Sequence, residues 1–496
     1  MSGNYLVVFD AGTGGGRCTV FDATGRQLIS EYREWRYRQP KVAPDAREFS
    51  PDQFFALLAD ACRTALAKAE IAPAEVAAVT ATSQREGCVF LDAAGQPLYA
   101  GPNMDWRAQE EANRLAESAG EEIYRFSGHW PHAMFPACRL LWFKKREPEL
   151  FERIARVLMI NDWVLYELSG SQYSEPSNAG ETLLFDITRL TWHWDFISEL
   201  GLKPTLLCDV VPPGTAVGQV TSEAAAATGL LAGTPVVVGG ADTQMALAGS
   251  GVVDDGGCAV SGTSTPLQVA TDKPVLDPKH RLWSGCHVFS NRWVLEGNAK
   301  GTGVIYRWFR DEFYGSDVPF EQVNEDLKLV SPGSGGLLAF LGSGVGLPPQ
   351  MPFPPSVVYG WNASYEKTGR VKAELGRSIL EAIAYAVAGN ADILAQVLGK
   401  KDSLIMCGGG TRGGFLPAIT ASVLEEPVSV NPVDEATSLG AAIFAAAGAG
   451  LYPDARQAAA QMVPAPITID PDPKASAVYK EAKERWLKIF MKLTEL

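Results

Sequence analysis

Two short Gly/Thr-rich segments are the first candidates for chemistry: Gly12-Thr13-Gly14-Gly15-Gly16 and Ser261-Gly262-Thr263-Ser264-Thr265. A turn of this composition presents backbone N–H groups and a hydroxyl at close range, because glycine lets the backbone approach an anion. A single such turn is an ordinary hairpin. Two of them, one opening each half of the chain, can grip a polyphosphate from both sides. Neither is a GxxxxGK[ST] loop, and that pattern occurs nowhere in the chain, which disfavours the P-loop ATPases. Asp10 precedes the first turn and can hold Mg²⁺ through water, since magnesium dehydrates reluctantly. Its plainer reading is a strand-end turn residue.

Asp242 lies in Gly239-Gly240-Ala241-Asp242-Thr243-Gln244. A carboxylate leaving a buried strand within a glycine-bracketed loop can accept a hydroxyl proton during phosphoryl transfer, although an Asx turn has the same pattern. Gln84-Arg85-Glu86 puts donor and acceptor side by side, suited to vicinal hydroxyls or to a surface ion pair. Asn103-Met104-Asp105-Trp106-Arg107 mixes carboxylate and aromatic in the way a sugar site needs, though core packing is the commoner fate of tryptophan. Trp130, His129 and His132 fit either a pocket wall or helix packing.

The elements that must position these groups are legible around them. Tyr5–Phe9, Arg17–Phe21 and Gln27–Trp35 read as three strands, with Gly12–Gly16 as the first turn. A helix follows, with Ser50 as N-cap, Pro51 at its first position and Gln53 closing a capping box. Phe55, Leu58, Cys62 and Leu66 give it one apolar face. Val76–Thr82 adds a buried strand, so the order βββαβ implies a mixed sheet covered by helices. The stretch from Glu110 to Leu202 is largely helical and reads as an insertion that shapes a pocket. Val236–Gly239 is a short strand that ends just before Asp242. The second half starts again: a strand at Ala259–Val260, a Gly-Thr turn, and a strand at Leu267–Ala270, a weak internal repeat. Ile379, Ile383, Val387, Asn390 and Leu394 mark a long helix. Ser403–Cys407 is a strand entering Gly408-Gly409-Gly410, and Phe415–Leu424 is a helix. The Gly-rich segment Ser250–Gly257 separates the expected domains, 1–249 and 250–496.

At 496 residues the chain is too long for one core. Its 46% hydrophobic and 20% charged residues are ordinary for a globular protein, and the formal net charge of −14 argues against nucleic acid as a partner. The start MSGNYLVVFDAG lacks a basic n-region, and no apolar run approaches the roughly 18–20 residues of a membrane span. Eight cysteines without a CxxC pair fit buried free thiols in a reducing cytosol, and five scattered histidines form no ligand-spaced cluster. The expected location is cytoplasmic. The expected partner is a small sugar or polyol, with no nucleic acid and no membrane, and a homodimer left open.

Together these segments resemble the FGGY carbohydrate kinases, essentially end to end. The resemblance implies an α/β fold of two actin-like (ribonuclease H-like) ATPase domains, each a mixed sheet flanked by helices, with a cleft between them. It implies ATP and Mg²⁺ as cofactors. FDAGTGGGRCTVFD is similar to the family's first phosphate loop, bringing in Gly12, Thr13, Gly14, Gly15 and Arg17, with Asp10 at the metal. TSQREG resembles the glycerol-kinase form of the substrate motif and implies that Gln84, Arg85 and Glu86, with Asp105, bind substrate hydroxyls. GGADTQ resembles the segment of the catalytic base, which makes Asp242 that base and sets Thr243 against the substrate. SGTST looks like the second phosphate loop (Gly262, Thr263, Ser264). GTGVIYRWFRDEF is similar to the adenine-side helix (Gly303, Arg307), and CGGGTRGGFLPAITASVL to the nucleotide loop (Gly409, Gly410).

Three departures stand out. Arg139 occupies the place of a family lysine. The second family signature survives only as Glu374–Glu381. Gly413-Gly414 replaces an amide side chain near adenine. Within the family the chain resembles the xylulokinase-like and autoinducer-2 kinase groups, and REG, NxDxR, Ile160–Trp163 and Pro176–Gly180 resemble the latter in order. The function implied is ATP-dependent phosphorylation of a hydroxyl on a pentulose-like or autoinducer-2-like acceptor. The alternatives are a polyol kinase, an actin-like ATPase without a small acceptor, and a sugar-binding regulator without catalysis.

Overall fold

The computed structural model describes residues 4–43, 45–349, 351–361 and 370–496. Residues 1–3, part of the leader reading, lie outside them. Two large mixed sheets organise the chain into a two-domain α/β fold. In the first sheet Tyr5–Ala11 pairs antiparallel with Gly15–Asp22, and that strand antiparallel with Gln27–Glu34. On its other side Tyr5–Ala11 runs parallel to Val76–Ser83, which runs parallel to Pro235–Ala241; Ala216–Gln219 closes the edge antiparallel.

The second sheet repeats this plan. Gly257–Val260 is antiparallel to Ser264–Thr271, then Trp293–Gly301 follows antiparallel. Gly257–Val260 is also parallel to Leu404–Cys407, then to Val428–Val430, with Ile467–Ile469 as the antiparallel edge. Trp283–Cys286 is an additional antiparallel edge strand, and the closing edge strand precedes its neighbour in the chain in the first sheet but follows it in the second. The internal repeat that the two Gly-Thr turns hinted at is therefore a repeat of whole sheets.

The helix expected after Ser50 spans Pro51–Lys68, but its start differs from the capping box anticipated: Ser50 makes no side-chain cap hydrogen bond. Pro51 at the first turn already removes one orphan donor. The buried face also begins one residue earlier. Phe54 rather than Phe55 enters the core, because its ring stacks at 4.0 Å on Trp35 and at 4.4 Å on Phe49. Leu58, Cys62 and Leu66 are buried as expected. Each fully buried side chain of this size contributes about 1.5–3 kcal/mol over an exposed one.

Between the strands at 76–83 and 235–241, helices Gln109–Ser127, Pro136–Arg146 and Ile160–Ser169 pack around a small sheet of Pro97–Gly101, Cys88–Leu91 and Arg156–Met159. The second sheet is backed by Val371–Leu398, whose residues Ile379, Ile383, Val387, Asn390 and Leu394 are all buried. Asn390 is satisfied there by the carbonyls of Gly344 and Ala386 and the N–H of Gly346. Among the described residues this is the one helix long and apolar enough to cross a membrane, with mean hydropathy 1.3, yet 78% of its apolar window is buried inside the protein.

The two halves meet in several places, among them Tyr124 Oη donating to the Leu282 carbonyl at 2.8 Å and Trp293 Nε1 to the Ile187 carbonyl at 2.7 Å, and they interlock most tightly at a backbone crossing. Ala436–Gly448, late in the chain, lies in the same apolar cluster as Leu6, Val8 and Val237 of the first sheet. It crosses Asp242–Gly249 where Gly249 and Gly440 bring the backbones together. A Cβ on Gly440 would stand 1.8 Å from the Met245 carbonyl oxygen, and one on Gly249 1.9 Å from that of Ala436. Backbone on both sides leaves no rotamer to relieve the overlap. Gly440→Ala is expected to lower Tm by at least about 2 °C, from an overpacking cost of about 1–3 kcal/mol. Gly409→Ala, which meets open space, should stay within about 1 °C. Thermal unfolding of the two variants checks this.

Candidate active site

Parallel pairing decides where the candidate residues meet. Ala11 is in register with Ser83, and Ser83 with Ala241, so three parallel strands end at one level. The next residues, Gly12, Gln84 and Asp242, therefore share one edge of the first sheet. Crevices at the carboxyl ends of such strands are where α/β sheets bind ligands. The second sheet does the same: Val260 pairs with Cys407, so Ser261 and Gly408 leave side by side, and Ser261 N–H donates to the Cys407 carbonyl at 2.8 Å.

The nucleotide-side residues named from sequence converge. Gly410 N–H donates to the Ser261 carbonyl at 3.1 Å, and Val304 N–H to the Thr263 carbonyl at 3.2 Å. Gly303 opens the helix Gly303–Phe313 so close to the hairpin that a Cβ would lie 2.1 Å from the Gly262 oxygen. Gly262, Thr263, Gly409 and Gly410 are exposed, as an anion site requires, while Ser264 is half-buried. Arg307 is exposed on the same helix, and its charge acts on Tyr32 of the first domain, as does that of Arg17. Arg17 lies 5.4 Å from the Tyr32 ring centroid. Gly12 and Thr13 are half-buried, Gly14 is exposed and Gly15 is buried. The Thr13 carbonyl is held by Tyr37 Oη at 2.6 Å and Trp35 Nε1 at 3.3 Å.

Asp10 sits at 3.8 Å from Arg17, whose Nη1 donates to Glu435 at 2.5 Å. Burial pushes the Asp10 carboxyl up to about 7; Arg17 opposes this, and Asp242 and Glu435 add to it. Asp242 is the first residue of its helix, and Thr243 holds its carboxylate through the backbone N–H at 2.6 Å and the hydroxyl at 3.1 Å. Burial raises Asp242 as well, against the lowering effect of Arg85 and the Thr243 hydrogen bonds.

On the acceptor side, several expected contacts are spoken for within the protein. The Gln84 carboxamide donates to the Gly12 carbonyl at 3.2 Å and Tyr37 Oη at 3.1 Å, and accepts from Asn103 N–H at 3.1 Å. It ties the first hairpin to the 101–107 loop. Asp105 is wholly buried on Arg107 Nε at 2.8 Å, Arg47 N–H at 3.1 Å and the Tyr99 hydroxyl. Thr243 donates its hydroxyl to Asp242. All three thus have partners within the protein.

Arg85 and Glu86 do lie in a polar centre. Arg85 forks onto Glu296 at 2.6 and 2.9 Å, approaches Glu181 at 3.4 Å and lies 4.0 Å from Glu86. Burial raises Glu86 well above the usual carboxylate range, with Glu181 adding to it. Burial also raises Glu181, but His129 and Arg85 outweigh it and hold Glu181 at about 2. His129, buried, reaches Glu181 at 3.1 Å and Ser127 O at 2.9 Å, so it belongs to this network. Trp130 and His132 line an adjoining cavity of about 680 Å³ with Trp283, Glu296, Asn298 and Lys300. Burial, then the Lys300 charge, lowers His132 to about 4. Glu86 holds a left-handed φ of 60°, a conformation typical of strained functional sites. Arg139 is its clamp: fully buried, it donates to the carbonyls of Glu86, Gly101, Pro102 and Met134. A lysine ammonium, with three donors and no fork, cannot span that set.

Sequence reasoning missed Glu181, Glu296 and Glu435. Each lies far along the chain from its partner, although a lone acid inside the apolar run Trp293-Val294-Leu295-Glu296 was a readable signal.

Two duplicated sheets with exposed glycine turns at facing edges and a recessed carboxylate define a phosphotransferase of the carbohydrate-kinase class. Comparison with known proteins agrees. The model for the FGGY family of carbohydrate kinases, N-terminal domain, matches residues 5–249, and that for the C-terminal domain matches 257–449. Autoinducer-2 kinase from Salmonella paratyphi A is 34% identical over 504 aligned positions, covering 99% of this chain and 94% of that protein. In fold, the chain superposes on gluconate kinase from Lactobacillus acidophilus with TM-score 0.86 (20% identity, 99% and 98% covered). Xylulose kinase from Rhodospirillum rubrum gives TM-score 0.82 (24% identity, 99% of each chain). The chain belongs to the FGGY family of carbohydrate kinases and transfers a phosphoryl group from ATP to a hydroxyl of a sugar or sugar-like acceptor.

The shift on Asp10 has a sign. The folded apoprotein keeps this proton up to about pH 7, whereas an ordinary aspartate releases it near 3.8. The folded state then binds more protons in that window, so stability falls as pH rises through it. Asp10→Asn should gain steadily on the wild type in urea midpoint between those two pH values. A difference that does not change with pH overturns the assignment.

Proposed function

We propose that residues 1–249 bind the acceptor and supply the base, that residues 250–496 bind the nucleotide, and that Asp242 takes the proton of the attacking hydroxyl. The observation that carries this reading is the placement of Asp242 at one level with the first hairpin, its carboxylate held by Thr243 and its pKa raised by burial. A raised carboxylate is a better base near neutrality than a free one. Gly12–Gly15 and Arg17 on one side, and Gly262–Ser264, Gly409 and Gly410 on the other, would hold the phosphates, with Gly303 and Arg307 toward the nucleoside. Arg85 and Glu86 would meet the acceptor hydroxyls, while Gln84, Asp105 and Thr243 hold the frame.

Mg²⁺ fits this site. Asp10 is a recessed carboxylate whose neighbour Arg17, at 3.8 Å, is shared with Glu435 at 2.5 Å, and burial raises it with Asp242 and Glu435 adding to the rise. Among the described residues no group of three or more His, Cys, Asp or Glu side chains forms a ready metal cage. That suits an ion held mainly by water and phosphate oxygens. Asp10 would hold it, and the ion would neutralise charge on the phosphates.

The acceptor we assign is an autoinducer-2-like or pentulose-like molecule, supported by the full-length likeness to an autoinducer-2 kinase. The eight cysteines are free and buried, which supports action in a reducing cytoplasm. ADP release with Mg·ATP, measured across pentuloses, polyols and the autoinducer-2 precursor, tests the reading. Release that depends on one acceptor supports it. Release without any acceptor would make the chain an actin-like ATPase, and no release a binder.

Asp242→Asn is expected to lose at least about a hundredfold in kcat while retaining ATP binding, since a general base is worth about 10²–10⁴ in rate. A near-normal kcat would remove Asp242 from that role.

A further inference from the structure

The second domain reaches Arg85 itself through Glu296. Glu296 lies within the strand Trp293–Gly301, opposite Gln268 on one neighbour and Trp283 on the other, so its backbone is pinned from both sides. Its carboxylate accepts from Arg85 Nη1 at 2.6 Å and Nη2 at 2.9 Å, and from Gln268 Nε2 at 2.6 Å. It also borders the 680 Å³ cavity with Trp130, His132 and Lys300. Arg85 itself follows a strand of the first sheet, and its other carboxylate neighbours, Glu86 and Glu181, come from the first domain.

Charge balance does not call for Glu296. One guanidinium already has two carboxylates within 4.0 Å, and a third buried acid adds desolvation cost without neutralising anything further. What it adds is geometry. A fork-to-fork pair fixes the plane of the guanidinium, which a single oxygen at 3.4 Å or 4.0 Å does not. Gln268 meanwhile keeps its Oε1 buried with no partner in the protein, an acceptor site beside the pair.

We infer that Glu296 is a positioning residue for the acceptor, supplied by the second domain: it sets the Arg85 fork, so the acceptor site is complete only when the two domains are together. The inference rests on the phosphotransfer reading above. The acceptor then binds against an arginine whose orientation is set from across the cleft, and ordering of the acceptor and closure of the cleft become one event.

Steady-state kinetics of Glu296→Ala and Glu296→Gln with Mg·ATP, using D-xylulose and the autoinducer-2 precursor as acceptors, test it. Glu296→Ala should raise acceptor KM at least about tenfold with ATP KM within about twofold, the pattern of lost acceptor binding. Glu296→Gln keeps one carbonyl oxygen in place and should recover part of that loss. An unchanged acceptor KM in both variants overturns the inference. So does a uniform fall in kcat for every substrate together with a lowered Tm, which would mark Glu296 as merely structural. If the wild type releases no ADP in response to either acceptor, the phosphotransfer reading fails first and takes the inference with it.

Discussion

The contact on which the rest depends is the backbone crossing of Asp242–Gly249 with Ala436–Gly448. Without side chains at Gly249 and Gly440, two helices from different halves of the chain approach to van der Waals distance of each other's carbonyls. That approach anchors the late helix on the first sheet, alongside Val8, Phe21 and Val237. It also brings Glu435, the residue before that helix, onto Arg17 at 2.5 Å, so the first Gly-Thr hairpin is braced by the second half of the chain.

The site is unusual in its charge. Asp242, Glu86, Glu181 and Glu296 gather about Arg85, with His129 beside Glu181. Burial is the first cause of the raised carboxyls of Glu86 and Asp242, and neighbouring acids add to it, Glu181 at the one and Glu296 at the other. Such a centre favours ligands rich in hydroxyl donors, which is the chemistry of a sugar. On the other face, Arg17, Arg307 and the exposed backbone of the glycine turns favour phosphate. One cleft therefore carries two electrostatic halves, and Asp242 stands between them.

Much of this was legible in the sequence because it is local. Strands at Tyr5–Phe9 and Val76–Thr82, the two Gly-Thr turns and the helix at Phe415–Leu424 depend on nearest-neighbour pattern and turn chemistry, and the structure has them there. The helix after Ser50 was legible in position but not in face, since the Trp35–Phe54–Phe49 stack that selects Phe54 is a tertiary event. In the site, residue type was a better guide than role. Gln84 and Asp105 have the chemistry of sugar ligands, yet both are buried and hydrogen-bonded within the protein, which residue type alone does not tell. Glu296 and Glu435 gain meaning only from partners more than 200 residues away, Arg85 and Arg17. No local pattern carries that information. The extra edge strand Trp283–Cys286, which walls the cavity through Trp283, was likewise unreadable in a repeat judged from its turns alone.

Asp242 begins the helix that Gly249 ends at the crossing. Eight residues at 1.5 Å each place its carboxylate about 10–12 Å from that contact. On an arm of that length, a tilt of about five degrees carries the tip about 1 Å, the scale on which a hydrogen bond is made or lost. The tightness of a glycine contact with no chemistry of its own thereby sets how precisely a distant carboxylate is aimed.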